Sequence, residues 1–176
     1  MMSIVTTGAE TGYYVDVFRS RKEKGGDKMH DYFYHNLGQT LTLTAADGSD
    51  LNLQPTEELA FAGAHLYAYS YLYDKKVAAT AKDVKATFTI DMKDKDGDDI
   101  YMNLWMKGEP DREVFTALAP MTEGLSRTPN MPYNIKEQPT LTFVARQHGE
   151  AWNRPFVSIY EPSNEKGTVY YSVRLL

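Results

Sequence analysis

The sequence predicts an all-β fold, an antiparallel β-sandwich of stacked sheets with little helix. Three observations predict it. Apolar and polar residues alternate with a period of two along much of the chain. Turn signals recur roughly every ten residues, the spacing of short strands in a sandwich. Tyrosine, a strand former, occurs 13 times in 176 residues. The apolar runs are too short and too often interrupted for an all-helical reading.

Residues 13–19 (YYVDVFR) alternate and form the first predicted strand. A Lys/Gly loop follows, and residues 30–37 (HDYFYHNL) form the second. The two are expected to pair as a hairpin. Gly38 punctuates, and residues 40–44 (TLTLT) alternate without a break. Asp47 and Gly48 mark a turn. Residues 56–61 (TEELAF) suggest a short helical turn capped by Thr56. Residues 67–73 (YAYSYLY) place four tyrosines on one side of any strand they form. Residues 84–92 and 100–106 flank an acidic turn at Asp96 and Gly97, and residues 112–119 form another strand.

Residues 120–139 hold four prolines together with Gly124 and Asn130. No regular element survives that density, so a long Pro-rich loop is expected. Strands follow at 140–146, 155–160 and 168–174, for a total of about ten. Residues 1–176 therefore read as a single sandwich domain, with no internal repeat.

The length suits one domain with a real hydrophobic core. A net charge of −5 gives no overall positive field to attract nucleic acid. The one basic run, residues 19–24 (RSRKEK), leads into Gly25, Gly26 and Asp27 and reads as a solvated loop. A locally basic groove for a polyanionic polysaccharide stays open. The absence of cysteine excludes disulfides and thiolate metal sites. No apolar stretch approaches the roughly 20 residues that span a bilayer, so no membrane contact is expected. The first residues lack the basic start and apolar run of a signal peptide. The expectation is a cytoplasmic protein or a chain cut from a longer one.

Two groups of residues are candidates for chemistry. On a strand, His30, Tyr32 and Tyr34 share one face, and Asp31, Phe33 and His35 share the other. A histidine beside tyrosine hydroxyls is acid/base equipment, and it is also an ordinary polar sheet face. Asp31 and His35 together are two ligands where zinc normally needs three, so no metal site is assigned. The acidic turn at 91–99 lacks the glutamate and flanking helices of an EF-hand and reads as a hairpin turn. No nucleophile elbow or phosphate loop is present.

The second group lies in residues 143–162 (FVARQHGEAWNRPFVSIYEP), two apolar strands joined by a turn that carries His148, Glu150, Trp152, Asn153 and Arg154. Trp stacks on sugar faces, and Arg pairs with carboxylates or sulfates. The structural alternative packs Trp152 on the sandwich edge and pairs Arg154 with a carboxylate such as Glu161.

Three segments together resemble the C-terminal β-domain of heparinase II/III-like polysaccharide lyases, in particular the alginate-lyase-like branch from bacteria. They are residues 13–19 running on to 30–38, then 104–113 (LWMKGEPDRE), then 144–162. The last is the most specific. The resemblance implies the C-terminal β-sandwich module of a longer enzyme whose N-terminal α/α toroid is its partner. It implies β-elimination of an acidic, uronate-containing polysaccharide by the full enzyme, and a periplasmic or secreted parent protein. His30, Tyr32, Tyr34 and His35 match family positions near the cleft and are catalytic candidates. Arg19, Trp152 and Arg154 are substrate-binding candidates. Family members often hold a structural zinc through an upstream His-x-His segment, which this chain lacks, so no cofactor is expected here. Without a toroid, the chain is expected to be inactive alone. The other reading is a free-standing carbohydrate-binding sandwich with exposed Tyr and Trp as stacking platforms.

Overall fold

The computed structural model describes residues 1–24, 26, 28–60, 67–93, 96–122, 135 and 137–164. Among these residues, eleven strands form two antiparallel sheets. They are β1 (Met2–Thr6), β2 (Gly12–Ser20), β3 (Met29–Asn36), β4 (Thr40–Ala45), β5 (Gln54–Pro55), β6 (Tyr73–Ala79), β7 (Val84–Ile90), β8 (Ile100–Met106), β9 (Arg112–Ala119), β10 (Thr140–His148) and β11 (Ala151–Ser163). A six-stranded sheet runs β1-β2-β11-β8-β7-β4, and a five-stranded sheet runs β3-β10-β9-β6-β5. The sandwich predicted by period-two alternation is the fold observed.

Alternate residues of both sheets face inward and make the main core. Phe88, Leu104 and Met106 meet Val114, Phe143 and Phe156 there, all with at most 1% of their surface exposed. Their burial supplies the main drive for folding, about 1.5–3 kcal/mol for each fully buried large side chain.

β2 and β3 do not form the expected hairpin. β2 pairs with β1 and β11, while β3 pairs with β10 in the other sheet. The loop between them crosses from sheet to sheet and sets the two strands face to face. The strands on either side of Gly149 also belong to different sheets. The expected turn carrying His148 to Arg154 shrinks to a corner at Gly149 and Glu150, and Gly149 takes the positive φ of 79° the corner requires.

The segment before β6 corrects two expectations. Residues 56–60 are not helical: Glu58 N donates to Thr56 Oγ1 at 3.1 Å, and Leu59 has φ 53°, outside the helical range. Tyr67–Tyr71 is a short 3-10 helix instead of a strand. The reason is an apolar patch on the outer face of the five-stranded sheet. Leu59 and Leu72 bury against Phe115, Ala117 and Val144, with Tyr69 and Phe33 at the margin. A strand would have sent Tyr69 and Leu72 to opposite sides. The sequence reading also misses β1, β5 and β6. The expected strand at 168–174 and most of the 120–139 loop lie outside the described residues.

Candidate functional site

β3 presents its two faces as expected. Tyr32 and Tyr34 turn inward. The Tyr32 hydroxyl donates to Asp16 Oδ2 at 3.0 Å, lies 3.3 Å from Ser158 Oγ, and hydrogen-bonds to Tyr160. Tyr34 packs edge-on to Phe88 and accepts a bond from Asn36 Nδ2 at 3.0 Å. Burial raises the pKa of Tyr32 and Tyr160, and it pushes Tyr34 up to about 12 with help from neighbouring Tyr160. These phenols hold their protons at neutral pH, so they have little tendency to act as bases there.

The two histidines of β3 are not brought together. His30 Nδ1 lies 2.8 Å from Ser20 Oγ, on β2. His35 lies on the opposite face, with Nδ1 2.8 Å from Thr142 Oγ1 on β10 and its ring 5.9 Å from Phe33. Desolvation lowers the His35 pKa. Asp31, on the same face as His35, is held by Arg146, whose Nε and Nη2 donate to its two oxygens at 2.8 and 2.9 Å. Tyr69 donates to Asp31 at 2.6 Å, and Arg146 Nη1 reaches Glu58 at 3.0 Å. Asp31 is thus committed to an ion pair, and no three His, Asp or Glu groups converge as a metal site among the described residues. The described residues alone offer no ligand set for the structural zinc implied by the resemblance.

The second group centres on an irregularity in the pairing of β11 with β2. Along β11, Ala151 pairs with Ser20 and Phe156 pairs with Phe18. Residues 152–155 therefore face Arg19 alone, a wide bulge in the ladder. A bulge leaves backbone groups unpaired and re-aims side chains. Here side chains satisfy three of those groups. Glu150 accepts hydrogen bonds from Trp152 N and Asn153 N, both at 2.9 Å. Arg19 Nη1 donates to Trp152 O. Pro155 is tolerated because the bulge asks no ladder bond of it.

The bulge throws Trp152 outward, where it remains 43% exposed. Arg21 lies over its ring at 4.6 Å. Arg154 turns the other way: Nη2 donates to Pro110 O at 2.8 Å, and Nε lies 3.8 Å from Glu109. Its carboxylate neighbour is Glu109 and not Glu161, because Glu161 lies seven residues further along the strand, paired with Asn103 of β8. Lys107 also pairs with Glu109. Arg112 lies beneath, 2% exposed, donating to Lys107 O at 2.6 Å and Gln147 Oε1 at 3.1 Å, with Phe156 4.8 Å from its guanidinium. Burial lowers its pKa to about 10. His148 lies 2.7 Å from Glu113.

Of the seven candidates, the structure brings Arg19 and Trp152 together and sets Arg154 on a neighbouring cluster. It adds Arg21, Glu150 and Arg112. Arg21 sat in the basic run and Glu150 in the turn, but only the strand register reveals their partners.

No family model matches the chain, and no solved structure matches it. The chain is 34% identical over 166 residues to an endo-acting ulvan lyase of Formosa agariphila. The match covers 92% of this chain and 19% of that protein, so the chain spans about a fifth of its relative's length. The chain is therefore related to one portion of a polysaccharide lyase.

Proposed function

We propose that this chain is the β-sandwich module of a heparinase II/III-like polysaccharide lyase and has no lyase activity by itself. The parent enzyme would cleave an acidic polysaccharide by β-elimination outside the cell, with ulvan as the first substrate to try. The rest of the active site would come from a partner region of the α/α toroid type. The observation that carries this reading is the similarity over 92% of the chain to only 19% of a lyase. The chemistry of the residues supports it. β-Elimination needs a base and an acid on one sugar unit. His30 and His35 face opposite sides of β3, and the phenols of Tyr32 and Tyr34 have raised pKa values.

The test is incubation of the purified chain with ulvan, following ultraviolet absorbance of unsaturated chain ends. The proposal expects no rise with this chain alone and a rise with a longer protein that contains it. Robust turnover by residues 1–176 alone would overturn the inactive-module reading.

A further inference from the structure

Basic residues are unevenly placed in this acidic chain. The net charge is −5, yet the β2–β3 region carries Arg19, Arg21, Lys22, Lys24 and Lys28 against Glu23 and Asp27. Gly149 N donates to Lys28 O at 2.9 Å, tying this loop to the corner that precedes the bulge. Arg21, Lys28 and the bulge thus lie along one rim of the sandwich.

The rim's polar groups have different duties. Glu150 directs its carboxylate at the N–H groups of Trp152 and Asn153, and Arg19 takes the Trp152 carbonyl. Both serve the backbone of the bulge. Among the described residues, Arg21 serves no backbone group and meets only the indole face. No ion pair of Arg19 or Arg21 occurs among the described residues. A guanidinium lying over a ring keeps N–H donors at its edge for a planar anion. Arg21 covers one face of the indole, and Trp152 keeps 43% of its surface exposed, an apolar area of the kind that contacts a pyranose.

We infer that Arg21 and the Trp152 ring form a binding subsite for an acidic sugar unit, one bearing a carboxylate or a sulfate, with Glu150 and Arg19 as positioning residues that hold the bulge. This rests on the polysaccharide-lyase reading and adds the residues and the ligand chemistry. The guanidinium takes the anion in a forked, charge-assisted contact, and the indole carries the sugar ring. A carboxylate and a sulfate present the same oxygen geometry to the fork, so the probes must separate them.

The experiment titrates the full chain with four polysaccharides and reads affinity by calorimetry or affinity electrophoresis. Alginate supplies carboxylates, dextran sulfate supplies sulfates, dextran supplies neither charge, and ulvan tests the relative's substrate. The expected result is binding to ulvan and to at least one other anionic probe, with none to dextran. Arg21→Ala and Trp152→Ala should each weaken it about tenfold or more, as loss of one charge-assisted or stacking contact does. Arg21→Lys keeps the charge, loses the fork, and should fall between. Lys93→Ala removes the same charge from the β7–β8 hairpin and should change affinity less than about twofold, since exposed distant charges are screened.

Far-ultraviolet circular dichroism and the unfolding midpoint verify that each variant is folded. Should Trp152→Ala fail to fold, Trp152→Phe and Arg21→Gln carry the test. Equal weakening by Lys93→Ala and Arg21→Ala would overturn the subsite in favour of a diffuse field. So would absence of binding to every anionic probe, or equal binding to dextran. These outcomes leave the lyase reading untouched, because that reading fails only on cleavage.

Discussion

Arg146 and Arg21 each lie over an aromatic ring, at 5.3 Å from Phe115 and 4.6 Å from Trp152. Their surroundings differ. Arg146 is 9% exposed at its side chain, and Asp31 and Glu58 take its Nε, Nη1 and Nη2. Arg21 lies at the exposed rim and has no ion pair among the described residues. The difference teaches that an arginine on a ring is not a signature of a site. What distinguishes the two is the hydrogen-bonding capacity left over. The first arginine ties Glu58 and, through Asp31, Tyr69 to the five-stranded sheet. The second meets only Trp152 among the described residues, which is what the proposed subsite uses.

Breaking the Arg146 side of the comparison should have the largest effect. Arg146→Ala leaves the nearly buried Asp31 carboxylate with Tyr69 but without its counter-charge, and such losses cost about 3–5 kcal/mol. Urea unfolding of the variant should show this as a lower midpoint with binding of anionic polysaccharide retained. An unchanged midpoint would mean that Arg146 is as dispensable as a surface arginine.

A smaller loss is expected at the inter-sheet hydroxyl cluster. Tyr32→Phe removes the donor to Asp16 and the partner of Tyr160, at a cost of about 1–2 kcal/mol. The measurement is again the unfolding midpoint, with the β-sheet spectrum unchanged. Tyr32 thereby becomes a test of structural against catalytic use. A structural tyrosine lowers stability, whereas a catalytic one would lower turnover of the parent enzyme at unchanged stability.

The pH dependence should be weaker still. Desolvation lowers the His35 pKa in the folded state, so between the folded and unfolded values the unfolded chain binds more protons. Stability is complete above the unfolded value, about 6.5, and declines as pH falls through it toward the folded value. His35→Gln should flatten that decline. A steeper slope in the variant would contradict the assignment.

Arg21→Ala should do least to stability, within about 0.5 kcal/mol, the ordinary range for a surface substitution. It is the counterpart of Arg146→Ala: folding is preserved where the other loses it, and ligand affinity is lost where the other keeps it.

The legible parts of this fold were those whose side-chain pattern has one solution. The stretches at 40–44 and 84–92 alternate apolar and polar residues, and the strands Thr40–Ala45 and Val84–Ile90 follow from that. Residues 67–73 also alternate, with tyrosines at every second position, yet the outcome depends on what covers them. An apolar patch on Phe115 and Val144 draws Tyr69 and Leu72 to the same side and favours a 3-10 turn. β6 escaped because Asp74, Lys75 and Lys76 interrupt its pattern. The pairing of β2 with β11 instead of β3 is decided by which sheet each strand joins, and local sequence does not encode that.

The candidate site divides in the same way. Trp152 was visible because a tryptophan in a polar turn is unusual, and Arg19 because its strand belongs to the segments that resemble the lyase domain. Arg21 was not, since a charged run beside glycines looks like any solvated loop. Its significance comes from the bulge that lifts Trp152 to meet it. Tyr32, Tyr34, His30 and His35 were visible as a face, but their partners sit on β2, β10 and β11, far away in sequence.

The most direct test is the rise in unfolding midpoint when the tightest-binding anionic polysaccharide is added, compared between the parent chain and Arg21→Ala. A ligand at a hundred times its Kd stabilises the folded state by about 2.7 kcal/mol, a readily measured shift. The account predicts that shift in the parent, and in Arg21→Ala an unchanged starting midpoint with most of the shift gone. An undiminished shift in Arg21→Ala would show that the polysaccharide is held elsewhere and that the rim arginine is as idle as any surface charge.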